Sequence, residues 1–332
     1  LDRFASVVGA RWQIVDVAKT GFSGSVIYPI QIAGERYALR NWNWSVDRCG
    51  DLNAKLKFQQ LLVRCWIGEP AILLSSGSSI DSSMDCPVAR PLDTWASGQM
   101  VAQVDGSLWT LATWRPGQSV GWAGTLSSEQ LRSIAGTLAR MHRISLAQET
   151  VVLFSPGWQD RLARLQSVAN AATLAANSRI SALAAQHDSV FRTLRSTGYF
   201  EEAVQWVRTQ AVQRRPACWI VRDAHQENWL FESDNLSGVV DFGAARCDWP
   251  AWDLIRLWSS AGVSGEQRAA FVGIYLAGLN ESASRHIEAL SKSVESLVND
   301  ESWHRLDYLQ NLLSAWQWRT WSVEERDWST TE

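Results

Sequence analysis

The stretch VRDAHQENWLF, Val221 to Phe231, continues after a polar turn into GVVDFGAAR, Gly238 to Arg246. The apolar run Trp219–Val221 reads as the end of a strand, and Trp229, Leu230 and Phe231 as a second strand. Glu232 to Ser237 is a polar turn carrying Asp234 and Asn235, and Val239 and Val240 open a third run that ends at Asp241, Phe242 and Gly243. Two carboxylates and one carboxamide, Asp223, Asn228 and Asp241, thus stand at the ends of short buried strands. A hairpin fold brings those ends together.

That set of groups suits phosphoryl transfer. In kinase chemistry an Asp positions and deprotonates the attacking hydroxyl, while an Asn five residues on and the Asp of a D-F-G turn hold magnesium. Magnesium prefers hard oxygen ligands, and few from the protein, because the nucleotide's phosphates supply others. Either half of the pattern alone is a weak signal. D-x-x-x-x-N followed by D-F-G at a hairpin's separation is fairly specific.

The stretch resembles the aminoglycoside phosphotransferase and choline kinase-like family, whose members read H-G-D-x-H-x-x-N, then a hydrophobic strand, then I-D-F/W and a helix opening with D-L. Asp223, His225 and Asn228 are in register with it, followed by VVDFGAAR and by Asp253-Leu254. Val221 and Arg222 replace the usual His-Gly. The resemblance implies a two-lobed, protein kinase-like α+β fold. It gives Asp223 the role of catalytic base and Asn228 and Asp241 the metal. ATP (or GTP) and Mg2+ are the implied cofactors, and a small-molecule hydroxyl the acceptor.

Whole-chain properties agree with this class. The 332 residues suffice for two lobes. The net charge of −3 gives no basic face for nucleic acid. No apolar run approaches the roughly 20 residues that span a bilayer. Five scattered cysteines, none in a C-x-x-C, fit a reduced cytoplasmic protein without disulfides or zinc. The 20 tryptophans admit a sugar-stacking site, but core and helix-packing positions account for most.

Toward the N-terminus, Trp12–Val17, Val26–Ile30 and Tyr37–Arg40 read as strands, with a hairpin turn at Ala33–Arg36. The Gly-containing turn with Ser23 and Gly24 is placed to lay backbone N–H groups over phosphates. By resemblance Arg40 is the phosphate-holding cation of the third strand, with Arg in place of Lys. Leu52, Leu56, Leu62, Val63 and Trp66 follow a helical period, yet this helix lacks the Glu that pairs with the cation in relatives. Asp47 and Asp51 are the nearby carboxylates. Asp105-Gly106 marks a hairpin between Gly98–Val104 and Ser107–Thr113. The following segment, with Ala112 and Trp114, corresponds to the inter-lobe linker whose backbone contacts adenine in relatives. The first lobe is therefore residues 1–113 and the second 114–332.

In the second lobe, Ser127 to Gln130 is a capping box ahead of Leu131, Ile134, Leu138 and Met141. His142 reads as a packing residue. A helical insertion spans about 158–215, with helices near Leu162, Ile180 and Phe200. By resemblance it walls the acceptor pocket, and Asp160, Arg161 and Arg164 are candidate lining residues. Ser264 caps another helix, and further helices lie near Ile287 and from Trp303 to Trp321. The absence of a long activation segment after Gly243 argues against a protein kinase and for a small-molecule acceptor. Besides a phosphotransferase, two other readings stay open. One is a catalytically impaired nucleotide- or ligand-binding protein on the same fold, motivated by Val221 and the missing helix Glu. The other is a Trp-lined carbohydrate-binding module.

Overall fold

A computed structural model describes residues 12–20, 25–43, 46–67, 86–92, 99–121, 124–148, 151–175, 199–280 and 285–298. In chain order, β1 (Trp12–Ile14), β2 (Lys19–Thr20), β3 (Val26–Ile32) and β4 (Glu35–Asn41) precede helix α1 (Cys49–Trp66). Then come β5 (Val101–Val104), β6 (Ser107–Thr113), α2 (Ser128–Gln148), β7 (Val151–Phe154), α3 (Pro156–Ala175) and α4 (Tyr199–Ala211). After these follow β8 (Arg214–Ile220), β9 (Trp229–Glu232), β10 (Asn235–Val239) and β11 (Arg246–Asp248). Helices α5 (Ala251–Ala261), α6 (Gly265–Leu279) and α7 (Arg285–Val298) complete the described chain.

Packing divides the chain into two compact units: residues 1–145 with 221–246, and residues 146–220 with 247–332. The catalytic-looking stretch thus packs with the N-terminal unit, although a boundary after residue 113 was expected from sequence.

In the first unit, six strands form an antiparallel sheet in the order β1-β3-β4-β6-β5, with β2 against β3. The β3–β4 turn places Ala33 and Gly34 at positive φ, and the β5–β6 turn does the same for Asp105 and Gly106. These two-residue turns match the twist of the strands they join. Alternation along the strands then gives the sheet two apolar faces. On one, Ile30, Leu39, Trp109 and Leu111 form a core with Tyr28 stacked on Trp109. On the other, Trp42 and Leu108 pack with Leu52 and Leu56 of α1. Arg40 lies two residues before Trp42 and so shares the α1 face.

The first unit also holds the β9–β10 hairpin. Its turn is Ser233-Asp234, shorter than the polar run suggests, because Asn235 and Leu236 pair with Glu232 and Phe231 before a register shift reaches Gly238. Val239 N–H donates to Pro87 O, and Gln118 and Phe231 exchange backbone hydrogen bonds at 3.0 and 2.9 Å. Gly117 makes this approach possible. Its φ is +97°, and a Cβ there would stand 2.7 Å from Phe231 O.

In the second unit, β11-β8-β7 form a small sheet, with β7 and β8 antiparallel. Trp158, Trp206, Trp249 and Trp252 pack ring to ring, with centroids 4.8–6.3 Å apart. Buried Asp248 ties this cluster down. It accepts from Ser155 Oγ at 2.5 Å and from Trp249 N–H at 2.8 Å, while Trp252 Nε1 donates to Ser155 Oγ at 2.9 Å. Arg161 lies 3.4 Å over the Trp252 ring, so its planar group packs against this core. The caps at Ser127 and Ser264 form as reciprocal side chain–backbone pairs. His142 is buried. The helices expected near Ile180 and from Trp303 to Trp321 lie outside the described residues.

Candidate functional site

The residues of the site, Arg40, Asp223, Asn228 and Asp241, all lie in the first unit. Arg40, near the end of β4, extends its guanidinium in three directions. Nη1 donates to Asp241 Oδ1 at 2.8 Å, across 201 residues of sequence. Nε and Nη2 both donate to Ser25 Oγ, at 3.1 and 2.8 Å. The flat face lies 3.8 Å from the centroid of the Trp42 ring. Two hydrogen-bonding edges and a stacking face are properties of guanidinium; an ammonium is a point charge.

Asp241 sits at the turn leaving β10. Its backbone is left-handed, φ 60° and ψ 66°, a region Asp tolerates better than most residues. The 3-10 turn Phe242–Ala244 follows, and Gly243 N–H donates to Asp241 Oδ1 at 3.3 Å. Gly243 is required because a Cβ would lie 2.7 Å from the Trp42 ring. Phe242 is buried and meets Phe58 of α1 edge to face, centroids 6.2 Å apart. Surrounding protein raises the pKa of the Asp241 carboxyl, but the positive charge and hydrogen bond of Arg40 outweigh it, helped by Gly243 N–H and His225. The net effect is a carboxyl held below its ordinary range. Although hemmed in, 37% of its side-chain surface stays accessible, as an incoming ligand requires.

Asp223 follows Arg222, whose φ of 68° keeps the left-handed backbone that Gly would supply in the resembling motif. Val221, at the motif's His position, is fully buried. The Asp223 carboxylate is about one-third exposed and stands 3.6 Å from His225 Nε2. The 3-10 turn Gln226–Asn228 folds the chain back, and Asn228 Nδ2 donates to Asp223 O at 2.7 Å. Asn228 O in turn accepts from Val240 N–H, one residue before Asp241. Asp223, Asn228 and Asp241 are thereby linked through adjoining backbone.

A magnesium ion suits this donor set. Asp241 offers a carboxylate below its usual pKa, and the Asn228 amide nitrogen is committed to Asp223 O, leaving its oxygen as an acceptor. Among the described residues no group of three or more His, Cys, Asp and Glu is placed to hold a metal.

Of the other expected residues, Ala112 lies within β6, paired with Ala38 and bridged to Pro91. Trp114 lies just beyond, its N–H donating to Arg36 O at 3.3 Å and its ring 4.9 Å from the Arg36 guanidinium. Ser23 and Gly24 lie outside the described residues. Asp51 of α1 is paired with Lys55 at 2.8 Å and Arg48 at 3.7 Å. The carboxylate that meets Arg40 is Asp241. Ser25 and Trp42 were not singled out by sequence reasoning. Their only signals were Ser25 closing the Gly-containing turn and Trp42 lying two residues after Arg40.

A sheet with one helix on its face, together with a hairpin bearing Asp, Asn and the D-F-G turn, defines the protein kinase-like α+β fold. The chain belongs to the phosphotransferase enzyme family, whose profile matches residues 81–290. Among solved structures, spectinomycin phosphotransferase APH(9)-Ia in complex with ADP and spectinomycin is 13% identical. That match covers 93% of this chain and 92% of the other, with a TM-score of 0.54. Amicoumacin kinase hAmiN, in complex with AMP-PNP, Ca2+ and Ami, is 12% identical, covering 91% and 92%, with a TM-score of 0.52. No curated protein matches the chain in sequence. Among the described residues, no helix is long and apolar enough to cross a membrane.

Proposed function

We propose that the protein transfers the γ-phosphoryl group of ATP, or GTP, to a hydroxyl of a small polar molecule, with magnesium. The observation that carries this reading is the 2.8 Å approach of Arg40 to Asp241, in the unit that also holds Asp223 and Asn228. The spectinomycin and amicoumacin enzymes, solved with ADP and with AMP-PNP and Ca2+, support nucleotide and divalent cation as the reactants' class.

In this mechanism Asp223 orients the acceptor hydroxyl and takes its proton as the new oxygen–phosphorus bond forms. The bond from the γ-phosphorus to the bridging oxygen breaks, and the nucleoside diphosphate leaves. Asn228 and Asp241 hold magnesium, which when bound neutralises charge on the phosphates. Arg40 turns its fork to the phosphate oxygens. Residues 1–113 serve as the nucleotide lobe, in which Ser23 and Gly24 would bind phosphate; the backbone about Ala112 and, just past the lobe, Trp114 would bind adenine. Residues 114–332 provide the base and the acceptor pocket. Positioning and charge stabilisation supply most of the rate.

The test is a calorimetric titration of AMP-PNP with and without magnesium, on wild type and Asp241→Ala. Affinity that rises with magnesium only when Asp241 is present supports the assignment. No binding by wild type in any condition sinks it.

A further inference from the structure

We propose that Ser25 is the positioning residue of the phosphate-holding cation, taking the part that a helix carboxylate plays in kinase chemistry; this rests on the phosphotransferase reading above. In kinases the strand cation is oriented by an ion pair to a Glu on the neighbouring helix. Here that helix, α1, has no Glu. Its Lys55 is spent on Asp51, and Gln59 Nε2 donates to Ala89 O at 2.6 Å. The helix still packs on the D-F-G turn through Phe58, so it shapes the site without touching the charge of Arg40.

Ser25 meets the requirement by position and chemistry. It is fully buried and stands just before β3, whose Val26 and Ile27 pair with Asn41 and Arg40. Its hydroxyl oxygen accepts from Nε and Nη2, the edge of the guanidinium away from Asp241. With the guanidinium plane set against Trp42, the fork is fixed in rotation and tilt. A neutral acceptor orients the cation without cancelling its charge, as a carboxylate would. Ser25 would thus hold the fork of Arg40 in place while Asn228 and Asp241 would hold magnesium. Ser25→Ala leaves two part-buried donors without that acceptor and frees the fork to swing.

The experiment is a double-mutant cycle of Ser25→Ala and Arg40→Ala, read in two ways. Urea unfolding without nucleotide measures whether the two changes are coupled. Calorimetry with AMP-PNP plus magnesium, and with adenosine alone, separates phosphate from base recognition. We expect coupling in urea. AMP-PNP should bind about tenfold more weakly to Ser25→Ala, the scale of a lost hydrogen bond to a charged group. Adenosine affinity should be unchanged, and Ser25→Ala should add nothing on Arg40→Ala. Wild-type affinity for AMP-PNP in Ser25→Ala, equal loss for adenosine, or additive effects in either cycle overturns the role of Ser25 while leaving the phosphotransferase reading standing. Coupling in urea with no AMP-PNP binding by wild type overturns that reading and the phosphate role of Ser25 with it.

Discussion

At the scale of single residues, the site depends on chemistry that near-isosteres lack. Asp223→Asn keeps shape but cannot take a proton. Turnover should fall about 10²–10⁴-fold, the usual share of a general base, while AMP-PNP affinity stays near wild type. A variant that turns over like wild type removes Asp223 from the mechanism. Arg40→Lys should behave almost as Arg40→Ala, since an ammonium cannot meet Ser25, Asp241 and Trp42 together. Calorimetry on both variants decides this. Asp241 also makes stability depend on pH. Its folded pKa lies below the unfolded value, so the pairing stabilises the protein fully above the unfolded carboxylate range, about pH 4. That contribution is lost as pH falls through the folded pKa. The urea stability gap between wild type and Arg40→Ala should therefore shrink as the solution is acidified, because burial unopposed by Arg40 leaves the variant's Asp241 easier to protonate.

At the scale of elements, the D-F-G turn is held by packing as much as by hydrogen bonds. Phe58→Ala removes the aromatic contact from α1 to Phe242 and should cost about 3–5 kcal/mol. Magnesium-dependent AMP-PNP binding should weaken as well, because Asp241 is carried by the same turn. Loss of stability with unchanged magnesium dependence would show that α1 does not support the metal site. This element was partly legible. The apolar period of α1 was plain, and so was its missing Glu. The partner of Arg40 was not, because Asp241 arrives from 201 residues away on a left-handed turn.

At the scale of the molecule, seven of the described tryptophans are buried in the core. In the second unit, Asp248 and Ser155 are hydrogen-bonded to Trp249 and Trp252, which pack ring to ring with each other and with Trp158. Asp248→Ala strips Ser155 and the Trp249 N–H of their acceptor and should lower stability by about 3 kcal/mol or more, read as a fall in Tm.

The sequence by itself determined the family and the kinase-like fold, because the motifs that resemble the phosphotransferases, from Val221 to Arg246, are short and local. It offered no partner for Arg40. Only the tertiary structure decided what Arg40 touches. Strand register brings Ser25 beside it, side-chain alternation lays it on Trp42, and a turn between distant strands delivers Asp241. These meetings depend on which strands pair and how the chain closes on itself, and residue order along one segment does not specify them.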